Sequence, residues 1–329
     1  MTGPHSAVAQ TRVAVRRELA RLEHVDGAGI VLVACSGGAD SLSLAAATAF
    51  EAPRAGLSAG AVIVDHGLQE GSSAVALRAA DQCRGLGLDP VEVVTVQVAS
   101  SGSGPEAAAR DARYRALEDA AQSIGALAVL LGHTRDDQAE QVLLGLARGS
   151  GARSLSGMPA RRGRYLRPFL GVARTTTIAA CQAAGLVAWV DPQNSDPSYG
   201  RVRARALLPL LERELGTGTV AALARSADLL REDADALDDL AAAARAGLGP
   251  DPVDAGSLLK LPRAIRSRVW RLLATEAGCP PGAVVARHVD SLDTLVTRWR
   301  GQGPIDLPGL VQGSRSGGRV FVAPVRQVE

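Results

Sequence analysis

An α/β fold is predicted for this chain: a doubly wound, mostly parallel sheet followed by a smaller, mainly helical C-terminal domain. Three observations predict it. Three short apolar runs and one valine-rich run alternate with segments of helical periodicity, the pattern of strands covered on both faces. Three of the runs end in polar residues, Ser36, Asp65 and His133, and in such sheets ligands bind at the carboxyl ends of the strands. The chain, at 329 residues, is long enough for about two domains. Gly216-Thr217-Gly218 is the candidate boundary between 1–215 and 216–329.

Taken in order, Val8–Leu22 carries apolar residues at helical spacing with arginines on the remaining face. Ile30–Cys35 is the first buried strand, and an Ala- and Leu-rich helix pattern follows the Ser36–Ser41 turn. Ala59–Val64 is the second strand, and Ser72–Leu86 a helix that Gly85 and Gly87 stop. Valine-rich Val91–Val98 is the third strand, Glu106–Ile124 a long helix, Ala126–Leu131 the fourth strand and Asp136–Arg148 the next helix. Gly149–Arg167 has little periodicity and reads as a loop, longer than structural connections usually are. Helices are predicted at Thr175–Ala184 and Tyr199–Leu215, around a turn-rich Trp189–Asn194 stretch. Beyond Gly218 come a long helix to about Arg245, a Gly-Pro-Asp-Pro break, helices at Arg263–Glu276 and Ala283–Arg300, and hairpin residues at Val311–Val325.

Composition narrows the function. Apolar content of 47% and charged content of 21% fit a soluble globular protein. No apolar run reaches the roughly 18 residues of a membrane span, and the first residues lack the layout of a signal peptide. Cys35, Cys83, Cys181 and Cys279 are far apart with no C-x-x-C, which argues against zinc, an iron–sulfur cluster and redox exchange, and for reduced cytoplasmic thiols. A net charge of +2 hides an uneven distribution. Gln141–Val190 holds seven arginines and no acid: Arg148, Arg153, Arg161, Arg162, Arg164, Arg167 and Arg174. That segment suits a phosphate-rich partner. Asp228–Asp239, with six acids against one arginine, reads as a solvated face.

The most informative stretch is the turn after the first strand, Ser36-Gly37-Gly38-Ala39-Asp40-Ser41. Two glycines permit a tight turn and close approach of a ligand. The helix opening behind them offers partnerless N–H groups and partial positive charge, a phosphate site. Ser36 and Ser41 add hydroxyl donors, and Asp40 is placed to hold Mg²⁺ against phosphates. A plain strand-to-helix turn is the bland alternative. Neither a Walker loop nor a G-x-G-x-x-G fingerprint is present. The string resembles the PP-loop of the N-type ATP pyrophosphatases, a Rossmann-like group that cleaves ATP between its α- and β-phosphates and adenylates a substrate.

Two further constellations are chemical candidates. In His133-Thr134-Arg135-Asp136-Asp137-Gln138-Ala139-Glu140, Asp137 and Glu140 share a helical face, as do Asp136 and Glu140. Acids in a first helical turn are also ordinary capping chemistry; a histidine at the strand end tips the reading toward a site. In the Glu106–Tyr114 string, Glu106, Arg110 and Arg113 share a face, which fits either an exposed ion pair or an arginine clamp on phosphate or carboxylate.

These strings, together with Val64-Asp65-His66-Gly67-Leu68, occur in order and at similar spacing in the tRNA(Ile)-lysidine synthetases. Arg148-Gly149-Ser150-Gly151, Arg167-Pro168, Trp189…Asp191-Pro192…Asn194 and Arg201…Arg203…Arg205 also resemble that family, over about residues 28–210. Leu261-Pro262-Arg263…Arg266…Arg268 faintly resembles its small second domain. Thr134, Gln141 and Val202 depart from the family's usual His, Thr and Asn, and the chain resembles the short form. The resemblance implies a cytoplasmic ligase that joins free L-lysine to C2 of the wobble cytidine in the CAU anticodon of tRNA(Ile), through an adenylated cytidine. ATP and Mg²⁺ are implied, with Ser36, Gly37, Gly38, Ala39, Asp40, Ser41, Asp65 and His66 around the nucleotide and Asp40 on the metal. Arg113 is implied to stabilise the activated base or phosphate, and His133, Asp137 and Glu140 to position or deprotonate the lysine amine. Arg148, Arg153, Arg161, Arg162, Arg201, Arg203 and Arg205 are implied to hold the anticodon arm, and the C-terminal domain to help choose the tRNA. A homodimer is compatible with it. The alternatives are another PP-loop enzyme, a tRNA thiolase or an amidotransferase type, and a non-catalytic adenine-nucleotide sensor.

Overall fold

A computed structural model describes residues 3–22, 29–67, 71–97, 105–192, 196–280 and 282–325, without the side chains of 105–107. Leu68, Asn194 and the Glu106 side chain therefore lie outside the described residues. Two compact units are present, Met1–Leu229 and Leu230–Glu329.

The first unit opens with α1 (Ser6–Leu19), then β1 (Ile30–Ala34), α2 (Ala39–Glu51), β2 (Ser58–Asp65), α3 (Ser72–Gly85), β3 (Val91–Thr95), α4 (Pro105–Ile124), β4 (Ala128–Leu131) and α5 (Arg135–Ala147). The predicted strands and helices up to this point are all found. The expected Gly149–Arg167 loop carries short elements: α6 (Ala152–Leu155), β5 (Arg161–Arg162) and β6 (Tyr165–Leu166). Strands of two residues have no period to read, which is why the sequence shows a loop there. Helices α7 (Arg174–Ala183) and α8 (Gly200–Leu215) follow.

The sheet order is β3-β2-β1-β4-β6-β5, parallel except for β5 against β6. Because β2, β1 and β4 are parallel neighbours, their carboxyl ends share one edge. Residues Val31, Leu32 and Val33 on β1 and Val129 and Leu130 on β4 are fully buried, as strands with helices on both faces require. One core lies under α1, α2 and α3, and a second between the sheet and α4.

Helix α9 (Thr219–Gly247) starts after Gly216 and Gly218, both at positive φ, so the glycine break is a helix–helix turn. The division between compact units falls inside α9, because its first turns bury Val220 with Ala139 and Leu208 of the first unit. The second unit contains β7 (Val253–Asp254), α10 (Ala255–Lys260), α11 (Arg263–Glu276), α12 (Ala286–Thr297), β8 (Ile305–Leu307), β9 (Val311–Ser316) and β10 (Arg319–Pro324). The hairpin expected at 311–325 is the centre of a four-stranded antiparallel sheet, β7-β10-β9-β8. Its core packs fully buried Trp270, Leu258, Leu273, Leu292 and Leu295.

A buried ion pair ties α11 to α12. Arg266 donates to both Asp293 carboxylate oxygens, at 2.6 and 3.1 Å, and to the Leu261 carbonyl at 2.7 Å. The Trp270 indole N–H donates to the same carboxylate at 3.0 Å. Burial would raise the Asp293 pKa, but the Arg266 and Trp270 hydrogen bonds outweigh it and hold it low. Asp293→Ala leaves a buried guanidinium uncompensated and should destabilise this unit by about 3–5 kcal/mol, read by denaturant unfolding of the full chain. The wild-type advantage should fade as pH falls through the Asp293 titration, since a lowered carboxylate pKa stabilises only above it.

Candidate active site

The turn after β1 is braced from within. Gly37 takes φ +80°, and a Cβ there would lie 3.3 Å from the Ala79 Cβ of α3. Gly38 is the N-cap of α2, so the N–H groups of the first turn have no intrahelical partner and face the edge of the sheet. Ser41 is buried: its Oγ accepts the Ser36 N–H at 3.1 Å and donates to the Gly38 carbonyl at 3.0 Å. Ser41 thus holds the loop's shape rather than offering a free hydroxyl, while Ser36 is exposed. Gly132, at the end of β4, lies against this turn; a Cβ on it would be 3.2 Å from the Asp40 carbonyl carbon and the Ser41 nitrogen. The Trp189 N–H donates to the Gly37 carbonyl at 2.9 Å, so the 186–190 segment also holds the loop.

Asp65 and His66 stand at the end of β2. The buried Asp65 carboxylate accepts the Gly67 N–H at 3.0 Å and the Ser73 hydroxyl at 2.9 Å. It therefore folds the β2–α3 turn and is not presented to a ligand. Burial and the neighbouring Arg113 lower the His66 pKa, so the ring is neutral.

The acidic constellation is an ion cluster. Asp137 Oδ2 accepts both the N–H and the hydroxyl of Thr134, at 2.7 and 2.8 Å, which caps α5. Its Oδ1 accepts Arg174 Nη2 at 2.8 Å. Glu140 is fully buried: Oε1 accepts Arg174 Nη1 at 3.0 Å and Arg205 Nε at 2.8 Å, and Oε2 accepts Arg201 Nε at 3.1 Å. Asp40 accepts the Thr177 hydroxyl on Oδ1, and Arg174 Nε stands 3.5 Å from Oδ2. Asp136 caps α7 by accepting the Arg174 backbone N–H at 2.8 Å.

The electrostatics fix the protonation states. Burial alone would raise the Asp137 pKa, but Arg174 and Arg201 hold it down at about 2. Burial, helped by Arg201, Arg167 and Arg113, lowers His133 to about 3 against the opposing pull of Asp137. Burial raises the Asp40 pKa, against Thr177 and Arg174. Burial also lowers Arg113, a half-buried guanidinium on α4 beside Tyr114.

The structure thus brings Asp40, Arg113, His133, Asp137 and Glu140 to one edge and, besides Ser41 and Asp65, places three further expected residues differently. Arg201 and Arg205 are engaged by Asp137 and Glu140 rather than standing out as phosphate contacts, because α8 packs on α5. Arg203 donates to the Pro197 and Ser198 carbonyls and supports the turn before α8. Arg148, Arg153, Arg161 and Arg162 are exposed, as a phosphate-facing set requires. Arg174 and Thr177, the groups nearest Asp40, were not singled out from sequence as site residues. Arg174 belongs to the acid-free arginine-rich segment, and its only local signal is its place at a helix start. For Mg²⁺, Asp40 fits: it is a partly exposed carboxylate at the loop, and this ion uses one or two protein carboxylates beside phosphates and water.

Comparison with known proteins identifies the family. A PP-loop domain model matches residues 11–211 and a TilS substrate binding domain model residues 254–321. The chain is 58% identical to the tRNA(Ile)-lysidine synthase of Thermobifida fusca, over 98% of this chain and 99% of that one. It is 54% identical to that of Streptomyces coelicolor, over 97% and 99%, and 55% to that of Salinispora tropica, over 95% of each. Among solved structures, the U34-tRNA thiolase NcsA from Methanococcus maripaludis, with its 4Fe–4S cluster, matches with TM-score 0.56 at 18% identity, covering 68% of this chain and 80% of that one. That likeness carries the fold alone.

Two predictions follow from the geometry. Gly132→Ala should overpack the first turn of α2, cost about 1–3 kcal/mol of stability and weaken ATP binding measured by calorimetry. His133 is protonated more readily unfolded (ordinary pKa about 6.5) than folded (about 3). Folding stability should therefore fall as pH drops from about 6.5 toward 3. His133→Gln should flatten that slope in unfolding measured across this range.

Proposed function

Since the chain belongs to the tRNA(Ile)-lysidine synthases, we propose that the edge formed by Ser36–Ser41, Arg113, His133 and the Asp137–Glu140 cluster adenylates the wobble cytidine of a CAU anticodon and then joins free L-lysine to its C2, with AMP as the leaving group. The protein is an ATP-dependent, tRNA-modifying ligase. The observation that carries the finer reading is the placement of the PP-loop helix start, with Asp40, beside a carboxylate–arginine cluster at the same sheet edge.

In the first step the C2 carbonyl oxygen of cytidine attacks the α-phosphorus of ATP, the bond to the β-phosphate oxygen breaks and pyrophosphate leaves. The N–H groups at the start of α2 and the Ser36 hydroxyl bind the departing phosphates. Mg²⁺, held by Asp40, would neutralise phosphate charge there. Arg113 supplies a fixed cation for the negative charge that builds on the α-phosphate oxygens in the transition state. Reaching C2 requires the base to leave its stack, and exposed Arg148, Arg153, Arg161 and Arg162 grip the anticodon arm through phosphates. Arg201 and Arg205 act indirectly, by holding Glu140 and Asp137.

In the second step the side-chain amine of lysine attacks C2 and AMP leaves. The amine is an ammonium ion in solution, with a pKa of about 10.4. Asp137 at about 2 and His133 at about 3 are far too weak as bases to take its proton, and Glu140 spends its oxygens on arginines. These groups set the field and the orientation, Asp137 by its charge and neutral His133 as a hydrogen-bonding group. The proton passes to water or to a phosphate oxygen. We assign the C-terminal unit to tRNA choice and place the reaction in the cytoplasm.

Asp40→Ala should abolish ATP- and tRNA-dependent incorporation of labelled lysine while filter retention of tRNA persists. Near-normal incorporation would remove Asp40 from the mechanism. A tRNA thiolase would consume no lysine, and a nucleotide sensor would release no pyrophosphate.

A further inference from the structure

Within the arginine-rich segment after α5, a pair of hydrogen bonds pins the backbone to that helix. Gln138, adjacent to Asp137, is buried at 1% exposure. Its amide meets the backbone of Met158 twice: Nε2 donates to the Met158 carbonyl at 2.9 Å, and Oε1 accepts the Met158 N–H at 2.6 Å. Only an amide side chain offers a neutral donor and acceptor side by side for such a pairing. Gly157, just before, adopts φ +62°, and a Cβ there would lie 2.5 Å from Gln138 Oε1. One residue beyond the pin, the Pro159 carbonyl accepts a hydrogen bond from buried Arg167 at 2.9 Å, which fixes the same bend from the sheet side. Exposed Arg148 and Arg153 precede the pinned bend, and exposed Arg161 and Arg162 follow it.

We propose that Gln138 and Gly157 form a positioning lock that sets the distance between the arginines gripping the tRNA and the helix start that carries Asp137. The proposal rests on the tRNA-modifying reading of the site. Both parts are needed: the amide supplies the paired hydrogen bonds, and the glycine supplies both the left-handed backbone and the space for the amide. Neither residue touches the reacting atoms. The lock holds the tRNA-binding face in register with a helix whose own N-terminus is fixed by Thr134 and Asp137.

The test uses the full chain with ATP, labelled lysine and a tRNA transcript bearing a CAU anticodon. Gln138→Glu keeps size and shape but sets a carboxylate oxygen against the Met158 carbonyl; Gly157→Ala disturbs the same lock from the other side. Each should raise the tRNA KM about tenfold, the loss of roughly one buried hydrogen bond. ATP affinity measured without tRNA should stay within about twofold of wild type. Trypsin should also cut faster after Arg161 and Arg162 in both variants, detected by mass spectrometry. A folded variant with unchanged tRNA KM overturns the lock. So does an equal loss of ATP affinity, which would mark general damage to α5. A wild-type protein that forms no lysidine would instead overturn the underlying tRNA reading.

Discussion

The organisation of the first compact unit depends on one guanidinium. Arg174 presents Nε, Nη1 and Nη2 to three carboxylates, Asp40, Glu140 and Asp137, at 3.5, 3.0 and 2.8 Å. Those acids lie on α2 and α5, and Arg174 itself opens α7, so a single side chain joins three helices at the carboxyl edge of the sheet. Burying three carboxylates is costly unless each is paired and hydrogen-bonded. Here Arg174, Arg201 and Arg205 match the three acids in charge, and Thr134 and Thr177 supply further donors. The cluster is best understood as a device for fixing geometry, because a buried ion pair carries little net stability yet is severely damaged by loss of one member.

The cluster also limits what the site can do chemically. A carboxylate pinned near pKa 2 and a histidine near 3 keep the same charge through the neutral range. The site offers a permanent pattern of charge instead of groups that shuttle protons. Adenylation suits such a site, since its barrier is dominated by placing and neutralising phosphate charge. The braced turn serves the same end. Ser41 locks the backbone of 36–41 from inside, leaving the N–H groups of the α2 start free of side-chain obstruction at the edge where Gly132 passes within van der Waals range.

Much of this was legible in the sequence. The apolar runs at 30–35, 59–64 and 126–131 could only be covered strands, and the polar residue after each marked the ligand edge. Of the two turn glycines, Gly37 sits where φ (+80°) and packing against Ala79 both favour a missing side chain, while Gly38 is the extended N-cap of α2. What escaped were features set by distant partners. Arg174 pairs with residues 34 and 37 positions earlier, and no local pattern distinguishes such an arginine from a neighbour that faces solvent. Arg201 and Arg205 failed in the same way: their spacing gave a basic face, but α8 turns that face onto Glu140. The strands β5 to β8 escaped because two or three residues carry no alternation, and the division of α9 between compact units escaped because helical periodicity continues across it.

The choice of arginine follows from the same geometry. The chain has Lys260 as its sole lysine and relies on arginine for nearly every cation. In most surface positions that preference changes little. At 174 it decides the architecture, because an ammonium group is one compact nitrogen with rotatable donors, while a guanidinium is a rigid fork with separate nitrogens. Three acids on two helices can each meet a different nitrogen only if those nitrogens are held at fixed spacing in a plane. A lysine could satisfy one or two of them, and the third carboxylate would lose its link to residue 174. Asp40, the acid at the phosphate-binding turn, is the most weakly held by Arg174 and the most exposed of the three. The fork therefore anchors Asp137 and Glu140 firmly and holds Asp40 least, which suits the metal-holding role proposed for that carboxylate.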